Sequence, residues 1–422
     1  MAVQRSLRWC FWVLFLFSGW GTQAWAESDW QQIDASDPFI DRNNITRAPS
    51  CSGGPKLTQE GVVPADTAFS FFFRAGDSSK LLIALDGGGA CWDPNTCIGS
   101  ALLGDPIYEL EVDETPETLA ELGGIADLDN PANPFRDYTQ VFIPYCSGDT
   151  HWGSKDTMYF YAGPNGPTVP WLIHHRGFDN VVAVLEWLTR YYETQAGGAP
   201  AKVMVAGGSA GGYGALLTFP AVKEIVPRST RTYLLTDSSN GVINADFYER
   251  ALGGYAVSGG VWGVEQNIPD FLLGAFASGP DALAISTNTT LAWQYPGTRF
   301  GQYTRAWDEV QIFYLNVMKH LDDPGQWLDP AKPLQTALEW TAKARLYMHL
   351  SALAPNYRFY IGAGTEHTLL ADESFYTENS AQGLFFSDWV DDMLNRRFVW
   401  RSDWRNVSCA PNCLEPGDLK FR

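Results

Sequence analysis

Five consecutive apolar residues, Leu81 to Leu85, run straight into Asp86-Gly87-Gly88-Gly89. An unbroken apolar run that stops at glycines predicts a buried central strand entering a tight loop. Val141-Phe142-Ile143-Pro144-Tyr145 predicts a second such strand, and Lys202 to Ala206 a third. Between these two, Val181, Val182, Val184, Leu185 and Leu188 recur at helical spacing, which predicts a helix over 177–192. A further helix follows the third strand as far as Val222, with later strands expected at Thr232–Leu235 and Tyr357–Ile361. Strands alternating with helices through Gly-rich turns predict an α/β fold, with a mostly parallel central sheet covered on both faces. Residues 243–300 carry a weak pattern and are expected to be an insertion or cap. No fixed-period repeat or linker divides the rest, so 27–422 is expected to form a single domain.

The extreme N-terminus follows different rules. Arg5 and Arg8 precede an apolar run from Trp9 to Phe17, then Gln23-Ala24-Trp25-Ala26. A positive start, a short apolar core and an Ala-x-Ala ending describe a secretory signal peptide over residues 1–26. The run is too short for a membrane-spanning helix, which needs about 20 residues. A secreted or periplasmic location is the expectation, with no membrane span in the mature chain. Export makes disulfides the natural reading of the six remaining cysteines. Their spacing favours two local loops, Cys91–Cys97 and Cys409–Cys413, leaving Cys51 to meet Cys146. The spacings lack a paired C-x-x-C or His-x-x-x-His, so no metal site is expected. Asn44, Asn288 and Asn406 open N-x-Ser/Thr sequons.

Composition narrows the partners. With 45% hydrophobic and 18% charged residues the chain is globular rather than disordered. Lys and Arg number 29 against 48 Asp and Glu, a net charge of −19. Losing Arg5 and Arg8 with the leader makes the mature chain more negative still. Such a surface repels phosphate backbones, so nucleic acid is not an expected partner, and it opposes a polyanionic glycan as well.

The third strand ends in Ala206-Gly207-Gly208-Ser209-Ala210-Gly211-Gly212, a G-x-S-x-G sequence centred on Ser209. A hydroxyl becomes a nucleophile only beside a base and clear of the backbone. A sharp strand-to-helix turn flanked by small residues provides that projection, and the strand before and helix after are the context that gives the motif weight. Neither the Walker lysine nor G-x-G-x-x-G with its downstream acid accompanies these glycines, which sets aside a phosphate loop. The new helix also aims free N–H groups at developing negative charge. Oxyanion donors are therefore expected from Ala210 and from Gly88 or Gly89 in the earlier glycine loop.

The base must be one of six histidines. His367 follows the last predicted strand, which gives the order Ser…Asp…His of this fold class. His151 precedes the serine and would break that order, so His367 is favoured. An orienting acid should lie between Ser209 and His367, and on pattern alone Asp237 and Asp308 tie.

These motifs resemble those of the pectin acetylesterase and Notum family of secreted serine carboxylesterases. The matching blocks are Leu85-Asp86-Gly87-Gly88-Gly89-Ala90-Cys91-Trp92, Ile143-Pro144-Tyr145-Cys146-Ser147-Gly148-Asp149, Gly208-Ser209-Ala210-Gly211-Gly212 and Trp307-Asp308-Glu309-Val310-Gln311, closed by His367. They span roughly residues 80–370. The resemblance implies an α/β-hydrolase-like fold and a triad of Ser209, Asp308 and His367, with Asp237 in a separate supporting motif. It also supports the Cys91–Cys97 pair and a bridge from an early cysteine to Cys146. One departure stands out: Gly89 occupies the position where Notum has a tryptophan after its paired glycines.

The expected activity is hydrolysis of an acyl ester, most simply acetyl, on a small molecule or a polysaccharide such as pectin, with no cofactor. A lipid deacylase is one alternative. A binding or signalling member of the fold without chemistry is another. Trp92, Trp152 and Tyr213 sit beside the motifs as pocket or core residues, and the sequence leaves oligomeric state open.

Overall fold

The computed structural model describes residues 30–163, 167–328, 333–395, 403–411 and 413. The leader expected at 1–26 lies outside them. Among the described residues the main sheet has nine strands: β1 (Gln31–Asp34), β2 (Ser70–Arg74), β3 (Asp77–Leu85), β4 (Tyr138–Ile143), β5 (Lys202–Gly208), β6 (Arg231–Asp237), β7 (Arg299–Arg305), β8 (Tyr357–Gly362) and β9 (Val407–Ser408). Their spatial order is β1-β2-β4-β3-β5-β6-β7-β8-β9. Pairing is parallel from β4 through β9 and antiparallel only where β1 meets β2 and β2 meets β4. The expected mostly parallel α/β sheet is present.

Two apolar layers sandwich it. Alternate side chains of each buried strand point to opposite faces. Leu81, Ile83 and Leu85 of β3 pack with Val181, Val184 and Leu188 of α1 (Gly177–Thr194) and with Leu217 of α2 (Ala210–Ile225). Leu82 faces the other way, into a cluster with Met204, Tyr233, Tyr303, Tyr360 and the last helix's Phe386 and Trp389. Burying each such aliphatic side chain contributes about 1.5–3 kcal/mol. Helices thus cover both faces, as the continuous apolar strands require.

The strand expected at 141–145 starts three residues earlier and stops at Ile143, because Pro144 has no N–H to donate. The helix after Ser209 runs past Val222 to Ile225. Strand β7 was not legible in the sequence, since Arg299-Phe300-Gly301-Gln302-Tyr303-Thr304-Arg305 has neither an apolar run nor clean alternation. It is nonetheless buried along most of its length. Gly301 leaves room for the Trp389 ring, and Gln302 satisfies its buried amide on the Ser239 carbonyl at 3.0 Å.

Between β6 and β7, the stretch read as an insertion holds α3 (Ala245–Leu252), α4 (Asp270–Phe276) and α5 (Leu283–Gln294). Helices α6 (Glu309–Lys319), α7 (Pro333–Ser351) and α8 (Phe386–Asn395) complete the elements used below. The chain carries the disulfides Cys51–Cys146, Cys91–Cys97 and Cys409–Cys413. Cys91 and Cys97 also lie beside buried His175, but both sulfurs are consumed in their bond. No described helix is long and apolar enough to cross a membrane.

Candidate active site

A parallel sheet delivers the carboxyl ends of its strands to one edge, where loops from distant parts of the chain meet. In register, Leu85 lies opposite Gly207, Gly208 opposite Asp237, Asp237 opposite Tyr303, and Arg305 opposite Gly362. The glycine loop, Ser209, Asp308 and His367 each follow one of these ends.

Ser209 links β5 to α2 with φ 53° and ψ −124°. That is a strained conformation for a residue bearing a side chain, of the kind that concentrates at functional sites. It persists because the turn is packed from every side. A Cβ at Gly207 would overlap the Gly211 carbonyl, and one at Gly211 would overlap the Leu85 carbonyl. The Ser209 N–H donates to the Asp237 carbonyl at 2.9 Å, and Ser239 Oγ donates to the Ser209 carbonyl at 2.7 Å. Ala210 opens α2, so its N–H precedes the first intrahelical bond and has no partner within the helix.

The glycine loop faces the serine. Gly88 and Gly89 take φ of 140° and 75°, a region that favours glycine. A Cβ at Gly89 would overlap the Ile107 carbonyl and the Tyr314 hydroxyl, which are themselves hydrogen-bonded. The Gly88 carbonyl accepts from Glu109 N–H at 2.8 Å, fixing the loop against 107–109.

His367 donates through Nδ1 to Asp308, 2.8 Å from Oδ1 and 2.9 Å from Oδ2. The same carboxylate caps α6, accepting from Gln311 N–H at 3.0 Å and from Gln311 Nε2 at 2.9 Å. Burial pushes the His367 pKa down, but the Asp308 carboxylate and its hydrogen bond outweigh this, so the net shift is upward. His367 Nε2 is buried and has no hydrogen-bond partner among the described residues. Ser209 and His367 face a common cavity without a hydrogen bond between them.

Of the sequence candidates, the structure brings Ser209, Asp308, His367, Gly88, Gly89 and Ala210 to one place. The rival acid Asp237 takes a different part: its Oδ2 accepts from Leu369 N–H at 2.7 Å and Leu370 N–H at 3.1 Å. Burial raises its pKa to about 6 against the opposing pull of those amides. The rival base His151 is buried beneath the elbow, with Nε2 donating to the Asp86 carbonyl at 3.0 Å and its ring packed on Gly214. Burial lowers its pKa to about 4. Asp149 holds this loop by accepting from Ser147 Oγ and from the amides of His151, Gly153 and Gly177.

Two cavities open on Ser209 and His367. The first, about 100 Å³, is apolar and among the described residues is lined by no Asp, Glu, Lys or Arg; Trp92, Trp152 and Tyr213 all line it, with Trp262, Met318 and Trp340. The second, about 490 Å³, extends past the glycine loop. Sequence reasoning missed Gln311 as the clamp on Asp308. The signal was present as Asp308-x-x-Gln311, the spacing of a capping box at a helix start. The resemblance had placed Asp237 in a supporting motif, but the Ser238 bond to the histidine loop was missed, because contacts across 130 residues leave no local mark.

An α/β fold with a serine, a histidine and a carboxylate at the carboxyl ends of its parallel strands has the layout of a serine-class hydrolase. Residues 58–247 match the model of the pectinacetylesterase family. The chain is 32% identical over 153 residues to the palmitoleoyl-protein carboxylesterase Notum of Schmidtea mediterranea, covering 35% of this chain and 25% of that protein. It thus spans about a quarter of the curated relative it matches. The solved structure of the Wnt deacylase Notum from Drosophila is similar in fold, with TM-score 0.53 and 17% identity over 81% of this chain and 91% of that one. Over these segments the chain is similar to the pectin acetylesterase and Notum proteins, and the fold match extends that likeness to most of its length.

Proposed function

We propose that this protein is a secreted serine carboxylesterase in which Ser209 attacks an ester carbonyl, His367 takes its proton and Asp308 holds the imidazole. The observation that carries this reading is a strained Ser209 sharing a cavity with a histidine whose Nδ1 is committed to a buried carboxylate. With the Nδ1 proton fixed there, Nε2 is the basic nitrogen, unpartnered and available to the serine hydroxyl. The Ser–His bond of such sites commonly closes only with substrate present. The tetrahedral oxyanion takes hydrogen bonds from Ala210 N–H and from Gly88 or Gly89 N–H, each donor worth about 3 kcal/mol of barrier. Protonated His367 then releases the alcohol, and water repeats the sequence on the acyl-serine. No cofactor enters these steps.

The acyl group is short. About 100 Å³ lies below the roughly 150 Å³ of a cavity that accepts benzene, so acetyl or a chain of a few carbons fits and a long lipid chain does not. The disulfides agree with an oxidising compartment outside the cytosol. Acetylated pectin is the glycan that the family suggests. The test is Ser209→Ala assayed with p-nitrophenyl acetate, together with fluorophosphonate labelling of the unaltered protein. Loss of turnover and a single Ser209 adduct are expected; a variant that turns over at the original rate would refute the mechanism. An inactive member of the fold would neither label nor hydrolyse.

A further inference from the structure

The second cavity meets the apolar one at five shared residues, Gly89, Ser209, Val310, Tyr314 and His367. An ester spanning this junction places its acyl group in one cavity and its alcohol in the other. The apolar cavity takes the acyl half, which leaves the larger one for the alcohol. Its charged lining has a single sign. Asp86, Asp105 and Glu109 border it, and among the described residues no Lys or Arg does.

Two of these carboxyls are built into the loop that faces the serine. Glu109 N–H holds the Gly88 carbonyl, and a Cβ at Gly88 would come within 2.6 Å of Glu109 Cγ. Asp86 immediately precedes the glycines and hydrogen-bonds Glu114. Burial, with the Asp86 charge and hydrogen bond adding to it, raises the Glu114 pKa. Glu109 is raised by burial and by Asp113 and Glu114. Arg74 is buried, bonded to the Ala126 carbonyl and Gln140, and stacked on Trp30. It does not line the cavity.

Negative charge beside donors meant for an oxyanion opposes the chemistry proposed above unless the substrate brings compensating positive charge. Phe313 and Tyr314 add aromatic surface of the kind that attracts a cation. Resting on the esterase reading of Ser209, we propose that the larger cavity binds the alcohol half of the ester and selects cationic alcohols over neutral ones, and neutral over anionic. Acetylated polygalacturonate, an anion at every unesterified sugar, is then a poor substrate.

The test compares kcat/KM for acetylcholine, its uncharged isostere 3,3-dimethylbutyl acetate, and anionic 2-sulfoethyl acetate at low salt, on the protein and on Glu109→Gln and Asp105→Asn. Asp105 is open to solvent at the rim, and Glu109, though its inner carbons pack beside Gly88, is solvent-accessible too, so salt screens both and the effect is moderate. The expected order is cation, neutral, anion, with about five-fold between neighbours. Either substitution, or 0.5 M salt, should compress the cation-to-neutral ratio by about half or more. An anionic ester cleaved as fast as the neutral one, or ratios indifferent to salt and to both substitutions, overturns the proposal. In that case Ser209-dependent cleavage of the neutral ester would leave the esterase reading intact. Absence of Ser209-dependent cleavage of any of the three overturns both.

Discussion

Ser209 is tied to Asp237 through the backbone, its N–H donating to the Asp237 carbonyl at 2.9 Å, while the Asp237 carboxylate accepts from the amides of Leu369 and Leu370, just past His367. One residue at the end of β6 therefore sets the spacing of the nucleophile turn and the histidine loop. Asp237→Ala leaves two buried N–H donors unpaired, each costing about 1–3 kcal/mol. A lowered Tm and a fall in kcat larger than the change in KM are expected. Unchanged kcat in a folded variant would show that the histidine loop holds its position without Asp237.

The raised pKa of His367 sets the acid limit of activity. Below it the imidazole is charged and cannot accept the serine proton, so kcat/KM should climb with pH through a midpoint above the ordinary histidine value of about 6.5. The Asp308 charge causes the rise, so Asp308→Asn should move the midpoint down. A pH–rate profile of both proteins reads this directly, and a midpoint that stays put would detach the titration from the pair.

Asp308→Asn should also lower kcat by about 10³–10⁴-fold, through loss of the tautomer that leaves Nε2 free. Gln311→Ala removes one donor to the same carboxylate while the backbone bond from residue 311 remains. A smaller loss, of about ten-fold or less, follows from a net hydrogen-bond worth of about 1 kcal/mol. Steady-state kinetics of the two variants should therefore separate by orders of magnitude.

Acyl length should be limited by the apolar cavity. Among p-nitrophenyl esters, acetate to butyrate should outpace octanoate. Met318→Ala, which enlarges the wall, should shift the preference toward longer chains at a stability cost of about 2–5 kcal/mol. A protein that already prefers octanoate would show that the cavity opens further than its resting walls.

The Cys51–Cys146 bond ties the start of the fold to the loop after β4, 95 residues on. Replacing both cysteines by alanine should cost about 2–5 kcal/mol, read as a lower Tm under non-reducing conditions. An unchanged Tm would mean that the neighbouring backbone bond from Ser52 N–H to the Cys146 carbonyl suffices.

The amino-acid order by itself determined the alternation of apolar strands and helices, the glycine-flanked Ser209 and the local cysteine loops. All are decided by neighbours within a few residues, through burial period, glycine freedom and short ring closure. It also supplied His367 through chain order. Pattern alone left open the choice between Asp237 and Asp308, which only the family resemblance turned toward Asp308, because β7, the strand that delivers Asp308, hides behind Gly301 and Gln302 and is recognisable only by its place between β6 and β8. Only the tertiary structure showed that Asp237 reaches back to the histidine loop, that His151 is spent on the Asp86 carbonyl, and that Trp92, Trp152 and Tyr213 wall a cavity. These are contacts between residues far apart in sequence, fixed by sheet register and packing, and no local pattern encodes them.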